Sequence, residues 1–266
     1  MPRLFQLPKM LVYGGSFDPC HLGHMKIVSV LDQLFTDSRI VIMPSFQSSS
    51  YITNGLTENQ QATFKQHQFS FNTRVTLLQL SLRDQVLSDR VAVSHLEQRL
   101  GGVSITWHTV ERLRHMYGLG AGELSWVIGQ DQLLHFHTWD YPEDLLEWVT
   151  LCVYPRGQQT GAPSVDNGQS VLLTDLKSCL DNLNFEVTGI HRDKHHGDSQ
   201  TMGFDVAEIA SRVSRPKKNL SHVILMEGQL MNISSTVIRE LLASNPRHPD
   251  MRNYVTQSVY DFLKNI

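Results

Sequence analysis

Two histidines three residues apart, His21 and His24, close the run Gly14-Gly15-Ser16-Phe17-Asp18-Pro19-Cys20-His21-Leu22-Gly23-His24, directly after the apolar stretch Met10-Leu11-Val12-Tyr13. The order is strand, glycine turn, then paired imidazoles at a helix start, and it suits phosphate chemistry. Gly14 and Gly15 let backbone N–H groups approach an anion with no Cβ in the way. A helix is read over Met25–Phe35, with Ile27, Val28, Val30, Leu31 and Leu34 on its apolar side. Its N-terminus turns unpaired N–H groups and a partial positive charge toward the same place. At helical spacing the two rings share a face and can reach one ligand. A zinc site is disfavoured, because it takes three or four ligands and two stand here. Asp18, next to Pro19, reads as a turn-former.

A second chemical segment lies near the other end, Ile233-Ser234-Ser235-Thr236-Val237-Ile238-Arg239. It falls between a strand at Val223–Met226 and a helix over about Ser235–Ala243. Helix capping accounts for one hydroxyl, not for three in a row with an arginine one turn on. Nor is it a capping box, since Val237 occupies the place of the Glu or Gln. Hydroxyls, helix N–H groups and a guanidinium together suit a polyphosphate tail.

The elements that must carry these groups alternate. Strands are expected at Met10–Tyr13, Arg39–Met43, Arg90–Ser94, Leu124–Ile128, Leu151–Tyr154 and Val223–Met226. Helices are expected at Met25–Phe35, Thr73–Leu82, Thr106–Tyr117, Pro142–Val149, Ser235–Ala243 and Asn253–Leu263. The pattern predicts an α/β fold, an open and mostly parallel sheet with helices on both faces. Several strands are unbroken apolar runs, as burial on both sides requires. Ligands in such sheets sit beyond the strands' carboxyl ends, where both segments fall. Ser45–Asn72 reads as a long polar loop beside the site. Gly157–Leu220 reads as an insertion in a single domain, with a helix-like piece (Ser170–Leu183) and a strand-like piece (Phe185–Ile190). It also carries the histidines His191, His195 and His196, a solvated loop before it is a metal site, and a basic stretch, Arg212–Lys218, read as charged surface.

Both end segments resemble the signatures of the HxGH nucleotidyltransferase superfamily, which moves a nucleotidyl group from a nucleoside triphosphate to a phosphate-type acceptor. The middle of the chain, Leu124-Ser125-Trp126-Val127-Ile128-Gly129-Gln130-Asp131-Gln132-Leu133 with Trp139 and Tyr154-Pro155-Arg156-Gly157, resembles the bacterial nicotinate-mononucleotide adenylyltransferases. The resemblance implies a Rossmann-like nucleotidyltransferase fold and adenylyl transfer from ATP to nicotinate or nicotinamide mononucleotide. It implies that His21, His24 and Arg239 serve catalysis. Gly14, Gly15, Ser16, Phe17, Ser234, Ser235 and Thr236 would hold the triphosphate, and Gly129 and Asp131 would border the nucleotide ribose. Trp139 would stack on the pyridine ring, as an indole face can, and Arg156 would line the acceptor site. Ser104-Ile105-Thr106-Trp107-His108-Thr109 is similar to the family's Ser-Tyr-Thr-x-Asp-Thr stretch, so Ser104 and Thr106 would receive the pyridine carboxyl group; Ile105 and His108 depart from it. Where the family carries Pro-Pro-His-Lys, its lysine reaching phosphate, this chain has Ser48-Ser49-Ser50-Tyr51, and Lys65 or Arg74 is left to compensate. A magnesium ion held mainly by the ATP phosphates is expected, with no metal site of the protein's own. Other acceptors within the superfamily remain open, a pantetheine phosphate or a cytidylyl acceptor, as does a nucleotide-binding protein without turnover.

Bulk properties narrow the classes further. The chain has 266 residues, 41% of them hydrophobic, enough for a buried core. A net charge of −3 gives no broad cationic field for nucleic acid. Three scattered cysteines, Cys20, Cys152 and Cys179, fit a reducing compartment. No apolar stretch approaches the roughly 20 residues of a membrane span, and the first nine residues lack a signal-type apolar core. A cytoplasmic enzyme is expected, with self-association open.

Overall fold

The computed structural model describes residues 7–48, 66–133, 135–154 and 233–265, and the backbone of three further strands at 185–192, 206–213 and 223–226. In chain order the elements are β1 (Met10–Gly15), α1 (Leu22–Leu34), β2 (Arg39–Pro44), α2 (Phe71–Arg83), β3 (Val91–Val93), α3 (Leu96–Leu100), α4 (Thr106–Tyr117), β4 (Leu124–Gly129), α5 (Gln130–Leu133), α6 (Pro142–Trp148), β5 (Val149–Tyr154), β6 (Phe185–Arg192), β7 (Val206–Val213), β8 (Val223–Met226), α7 (Ser235–Ser244) and α8 (Gln257–Leu263). The architecture is the open Rossmann-like α/β fold. The chain divides into two compact units: 1–13, 35–39 and 110–232 form one, and 14–34, 40–109 and 233–266 the other.

In the first unit the strands run in the order β1, β4, β5, β8, β7, β6. β1, β4, β5 and β8 are parallel, with Val12 beside Trp126, Val127 beside Cys152 and Cys152 beside Ile224. Leu11, Val12, Leu124, Val127, Val149, Cys152 and Val153 are wholly buried, which explains why these strands read as unbroken apolar runs. β7 and β6 continue antiparallel, Ile209 pairing with Val223 and with Ile190. β6 is the strand read at Phe185–Ile190. β7 was not expected, and it contains Arg212, so the basic stretch begins inside a strand. The expected helix Ser170–Leu183 lies outside the described residues.

In the second unit β2 pairs parallel with β3, Ile40 beside Val91 and Ile42 beside Val93. The Ser45 N–H donates to the Gly15 carbonyl at 2.9 Å, so the end of β1 stays paired through both glycines. Leu31, Leu77, Leu78, Ile238 and Val259 are fully buried among its helices. Two boundaries differ from expectation for local reasons. α1 begins at Leu22, three residues before Met25, because His21 caps it. The helix expected at Asn253–Leu263 is divided: Pro249 opens a 3₁₀ turn over Pro249–Asn253, and α8 starts only after Thr256. No helix among the described residues is long and apolar enough to cross a membrane.

Candidate active site

The first motif turns at Ser16–Pro19, beyond the glycines. Phe17 takes a left-handed backbone (φ 48°) and the Asp18–Pro19 peptide is cis. Gly15 relieves a close approach: a Cβ there would lie 3.2 Å from two atoms of the Phe17 ring, which would have to give by a few tenths of an ångström. The histidines then form a capping box of their own. The His24 N–H donates to Nδ1 of His21 at 3.3 Å, and the His21 N–H donates to Nδ1 of His24 at 3.1 Å. This is the reciprocal N-cap/N3 arrangement that Ser and Glu make elsewhere, here built from imidazoles. It stacks the rings, with centroids 3.6 Å apart and planes 18° apart, and packs Phe17 edge-on against His24. Because each Nδ1 accepts, each neutral ring carries its proton on Nε2. The spacing that suggested one shared ligand therefore has a structural cause as well.

The closing motif docks on the same turn. Nη1 of Arg239 donates to the Asp18 carbonyl at 2.8 Å, and the Ser235 hydroxyl donates to the Pro19 carbonyl at 2.8 Å, across more than 200 residues of sequence. Nη2 of Arg239 donates to the Thr236 hydroxyl at 2.9 Å, fixing the guanidinium against its own helix. Ser234 caps α7, accepting from the Val237 N–H at 3.4 Å. So one hydroxyl caps, one docks and one orients the arginine. The Asp18 carboxylate, nearly fully buried, accepts from the N–H groups of Gln68 (2.8 Å) and Phe69 (2.9 Å). It organises the turn and is not placed as a base.

Arg74 shows a role the sequence did not reveal. Only 1% exposed, it donates to the carbonyls of Ser16 (2.6 Å), Ser45 (2.8 Å), Phe46 (3.4 Å) and Phe69 (3.3 Å). Its charge is spent holding main chain, so it does not replace the phosphate-reaching lysine as the sequence reading had allowed; Lys65 lies outside the described residues. Burial pushes its pKa down from the ordinary value, while the nearby Asp18 and Glu97 charges oppose that shift. Ser48 sits among hydroxyls, its Oγ 2.7 Å from that of Ser45 and 3.3 Å from Nε2 of His67. Ser104 is occupied internally: its N–H donates to the Gln47 carbonyl, and its hydroxyl accepts from the N–H groups of Phe46 (2.8 Å) and Gln47 (3.3 Å). Thr106 is the first residue of α4. Cys20 is buried 3.0 Å from the Ser81 hydroxyl, and burial raises its thiol to about 12, so it is no nucleophile at neutral pH.

The first unit holds the other candidates. A Cβ on Gly129 would lie 2.5 Å from Oδ1 of Asp131 and 3.2 Å from the Tyr154 hydroxyl, so any larger residue at the end of β4 must displace the Asp131 carboxylate. Tyr154 stands opposite Gly129 in register, and its hydroxyl is 3.3 Å from that of Tyr13. The two phenols, missed in the sequence, meet edge to face at strand ends; a tyrosine paired with a glycine is the signal that could have found them. Trp139 is half-buried at the end of a 3₁₀ turn, 5.2 Å from the Phe136 ring, and so keeps exposed surface. Arg156, His195 and His196 lie outside the described residues, and of His191 only the backbone is described. Among the described residues no three His, Cys, Asp or Glu side chains converge on a metal position.

Comparison with known proteins bears on the fold and the family. Among curated relatives, a probable nicotinate-nucleotide adenylyltransferase of Aquifex aeolicus is 29% identical over 146 residues, covering 55% of this chain and 76% of that protein. One from Klebsiella pneumoniae is 32% identical over 145 residues, covering 54% of this chain and 59% of its own length. The Plasmodium falciparum nicotinic acid mononucleotide adenylyltransferase solved with NaAD shares the fold, with TM-score 0.58 and 14% identity over 97% of this chain and 95% of that one. A putative nicotinate-nucleotide adenylyltransferase from Vibrio parahaemolyticus does so with TM-score 0.54 and 17% identity over 96% and 98% of the two chains. The cytidylyltransferase-like family model matches residues 12–241, a span that begins in β1, ends in α7 and encloses both docked motifs, and the chain belongs to that family.

Proposed function

We propose that this chain transfers an adenylyl group from ATP to nicotinate mononucleotide, forming the dinucleotide and releasing pyrophosphate. The observation that carries the reading is the docking of Arg239 and Ser235 on the Asp18–Pro19 turn that leads into the histidine box. A helix N-terminus, two Nε2–H donors and a guanidinium then belong to one structural unit, a donor set suited to a polyphosphate.

The acceptor phosphate is already ionised at neutral pH, so one of its oxygens attacks the α-phosphorus as the bond to the β-phosphate oxygen breaks. No proton needs removing, which fits a buried thiol and an Asp18 carboxylate committed to backbone N–H groups. His24 is assigned to the α-phosphate and His21 beside it. Arg239 and the start of α7 serve the β- and γ-phosphates, with the backbone N–H groups of Gly15, Ser16 and Phe17 completing the cradle. Catalysis is then alignment plus charge stabilisation. A magnesium ion, held mainly by the ATP phosphates and water, would supply charge neutralisation on the pyrophosphate. In the other unit Trp139 offers a platform for a flat ring, with Asp131 beside Gly129 for ribose hydroxyls. Arg156 completes this assignment on sequence grounds.

The test is pyrophosphate release from ATP with nicotinate mononucleotide, nicotinamide mononucleotide or pantetheine phosphate, and from CTP with a cytidylyl acceptor. Release with a pyridine mononucleotide and ATP alone is expected. Preference for another acceptor, or ATP binding without release, overturns the reading.

A further inference from the structure

One buried carboxylate that the mechanism does not use ties together two loops of the second unit. Glu97, on α3, is 6% exposed. Its Oε2 accepts from the Phe46 N–H at 3.3 Å and its Oε1 from the Thr109 hydroxyl at 3.0 Å. The Ser104 hydroxyl hydrogen-bonds the same carboxylate. Ser104 in turn accepts from Phe46 and Gln47 and donates its own N–H to Gln47 at 2.8 Å. The segment leaving β2 and the segment entering α4 are thus linked directly, and again through Glu97.

We propose that Glu97 is a positioning residue that holds Phe46–Gln47 and Ser104–Thr109 as one rigid wall and thereby sets affinity for the acceptor mononucleotide. The proposal rests on reading Ser104–Thr109 as the acceptor-binding stretch. Physically, a fully satisfied buried polar network has a single geometry, whereas removing its central acceptor leaves three donors competing for poor alternatives. No apolar residue at position 97 can accept from both segments. The bonds that assemble the phosphate motifs run through Asp18, Pro19, His21, His24 and Arg239, and none of these ends on Glu97. Its link to the phosphate turn is indirect, through the charge it sets beside Arg74, so loss of Glu97 acts first on the acceptor and less on ATP.

Ser104 consequently contributes shape. Its N–H and hydroxyl are engaged within the wall, so recognition of the pyridine carboxyl falls to groups farther along, at Thr106 and the start of α4.

The experiment compares Glu97→Ala, Glu97→Gln and Thr109→Val in steady-state kinetics with both substrates, together with hydrogen exchange. Gln can place its amide oxygen toward Phe46 and its amide N–H toward Thr109, whose hydroxyl reverses to accept. Glu97→Ala is expected to raise KM for the mononucleotide about tenfold or more, with kcat and KM for ATP within about threefold. Glu97→Gln should stay within about threefold of the parent in all constants, and Thr109→Val should move only the mononucleotide KM. In Glu97→Ala, amide exchange should quicken at 46–47 and 104–109 but not at 21–31. If Glu97→Ala fails to fold, Thr109→Val carries the test. Equal loss for both substrates, failure of Gln to rescue, or unchanged exchange at 104–109 overturns the proposal. A parent protein that releases no pyrophosphate with any acceptor refutes the functional reading instead, and the exchange comparison still decides whether Glu97 holds the wall.

Discussion

Replacing His24 by asparagine separates the two jobs the ring is given. Its Nδ1 accepts from the His21 N–H at 3.1 Å within the capping box, and its Nε2–H is assigned to the ATP phosphates. Asparagine can keep the acceptor near the position of Nδ1 but has nothing where Nε2 stood; glutamine keeps a donor near Nε2 and loses the local acceptor. A hydrogen bond to a charged group is worth about 1.5–3 kcal/mol. At 1.36 kcal/mol per tenfold, His24→Asn should lower kcat/KM by about 10- to 150-fold while stability stays within about 0.5 kcal/mol. His24→Gln should show the reverse bias, losing about 1 kcal/mol of stability with the cap and retaining more activity. Pyrophosphate release under saturating acceptor gives the first quantity and urea unfolding the second. If His24→Asn turned over within threefold of the parent, the Nε2–H would not be touching phosphate in the transition state, and the assignment of the box to catalysis would fall.

Three further substitutions test how the site is held. Arg74→Leu strands four carbonyls in a buried place and should cost about 3–5 kcal/mol in urea unfolding with m unchanged; a cost below about 1 kcal/mol would show that its bonds are not made in solution. Gly129→Ala forces Asp131 and Tyr154 apart from a Cβ 2.5 and 3.2 Å away. It should cost about 1–3 kcal/mol by melting and raise the nucleotide KM, whereas parent-like behaviour would mean Asp131 rests elsewhere. Asp84, the C-cap of α2, accepts from the N–H (2.8 Å) and hydroxyl (2.6 Å) of Ser258 and so caps α8 from a neighbouring helix. Burial pushes its pKa up, but the bonds from Ser258 and Thr256 outweigh this and leave it below its ordinary 3.8. A depressed native pKa adds stability above the unfolded value and loses it as pH falls through the native one. Asp84→Ala should therefore cost about 1 kcal/mol at neutral pH, and the gap should close in acid; a gap constant with pH would refute the capping account.

What the sequence disclosed was whatever is written locally. β1, β4 and β5 announce themselves because burial on both faces leaves few polar residues along their length, Ser125 and Thr150 being the exceptions, and Gly-Gly followed by His-x-x-His is contiguous. The capping box is legible in the same way once imidazole Nδ1 is counted as an acceptor. Arg239 shows the limit: its partner is the Asp18 carbonyl, a main-chain group 221 residues away that has no identity in sequence. Arg74 was open to misreading for the same reason, since a cation near a phosphate motif looks like a phosphate ligand until its four carbonyls are seen. β7 escaped because Val206–Val213 places Glu208, Ser211 and Arg212 among its apolar residues. Only pairing with β6 and β8 makes it a strand.

Asp18, Arg74 and Glu97 place three ionisable side chains, 2%, 1% and 6% exposed, inside one small unit. Removing one of them alone is costly because it strands its partners, but net stability is a poor explanation for the set as a whole. Desolvation pulls Arg74 down and pushes Glu97 up, and both directions mean that burial opposes the charged form. Well-packed apolar residues of similar volume commonly match or exceed such groups in stability. What apolar residues cannot do is accept from Gln68, Phe69 and Phe46 while donating to Ser16, Ser45 and Phe46. These bonds fix the phosphate turn, the end of β2 and the entry to α2 relative to one another. A reaction that needs no base and no covalent nucleophile has little to gain from its protein except alignment. In such a reaction, buried charge spent on main-chain geometry is charge spent on rate.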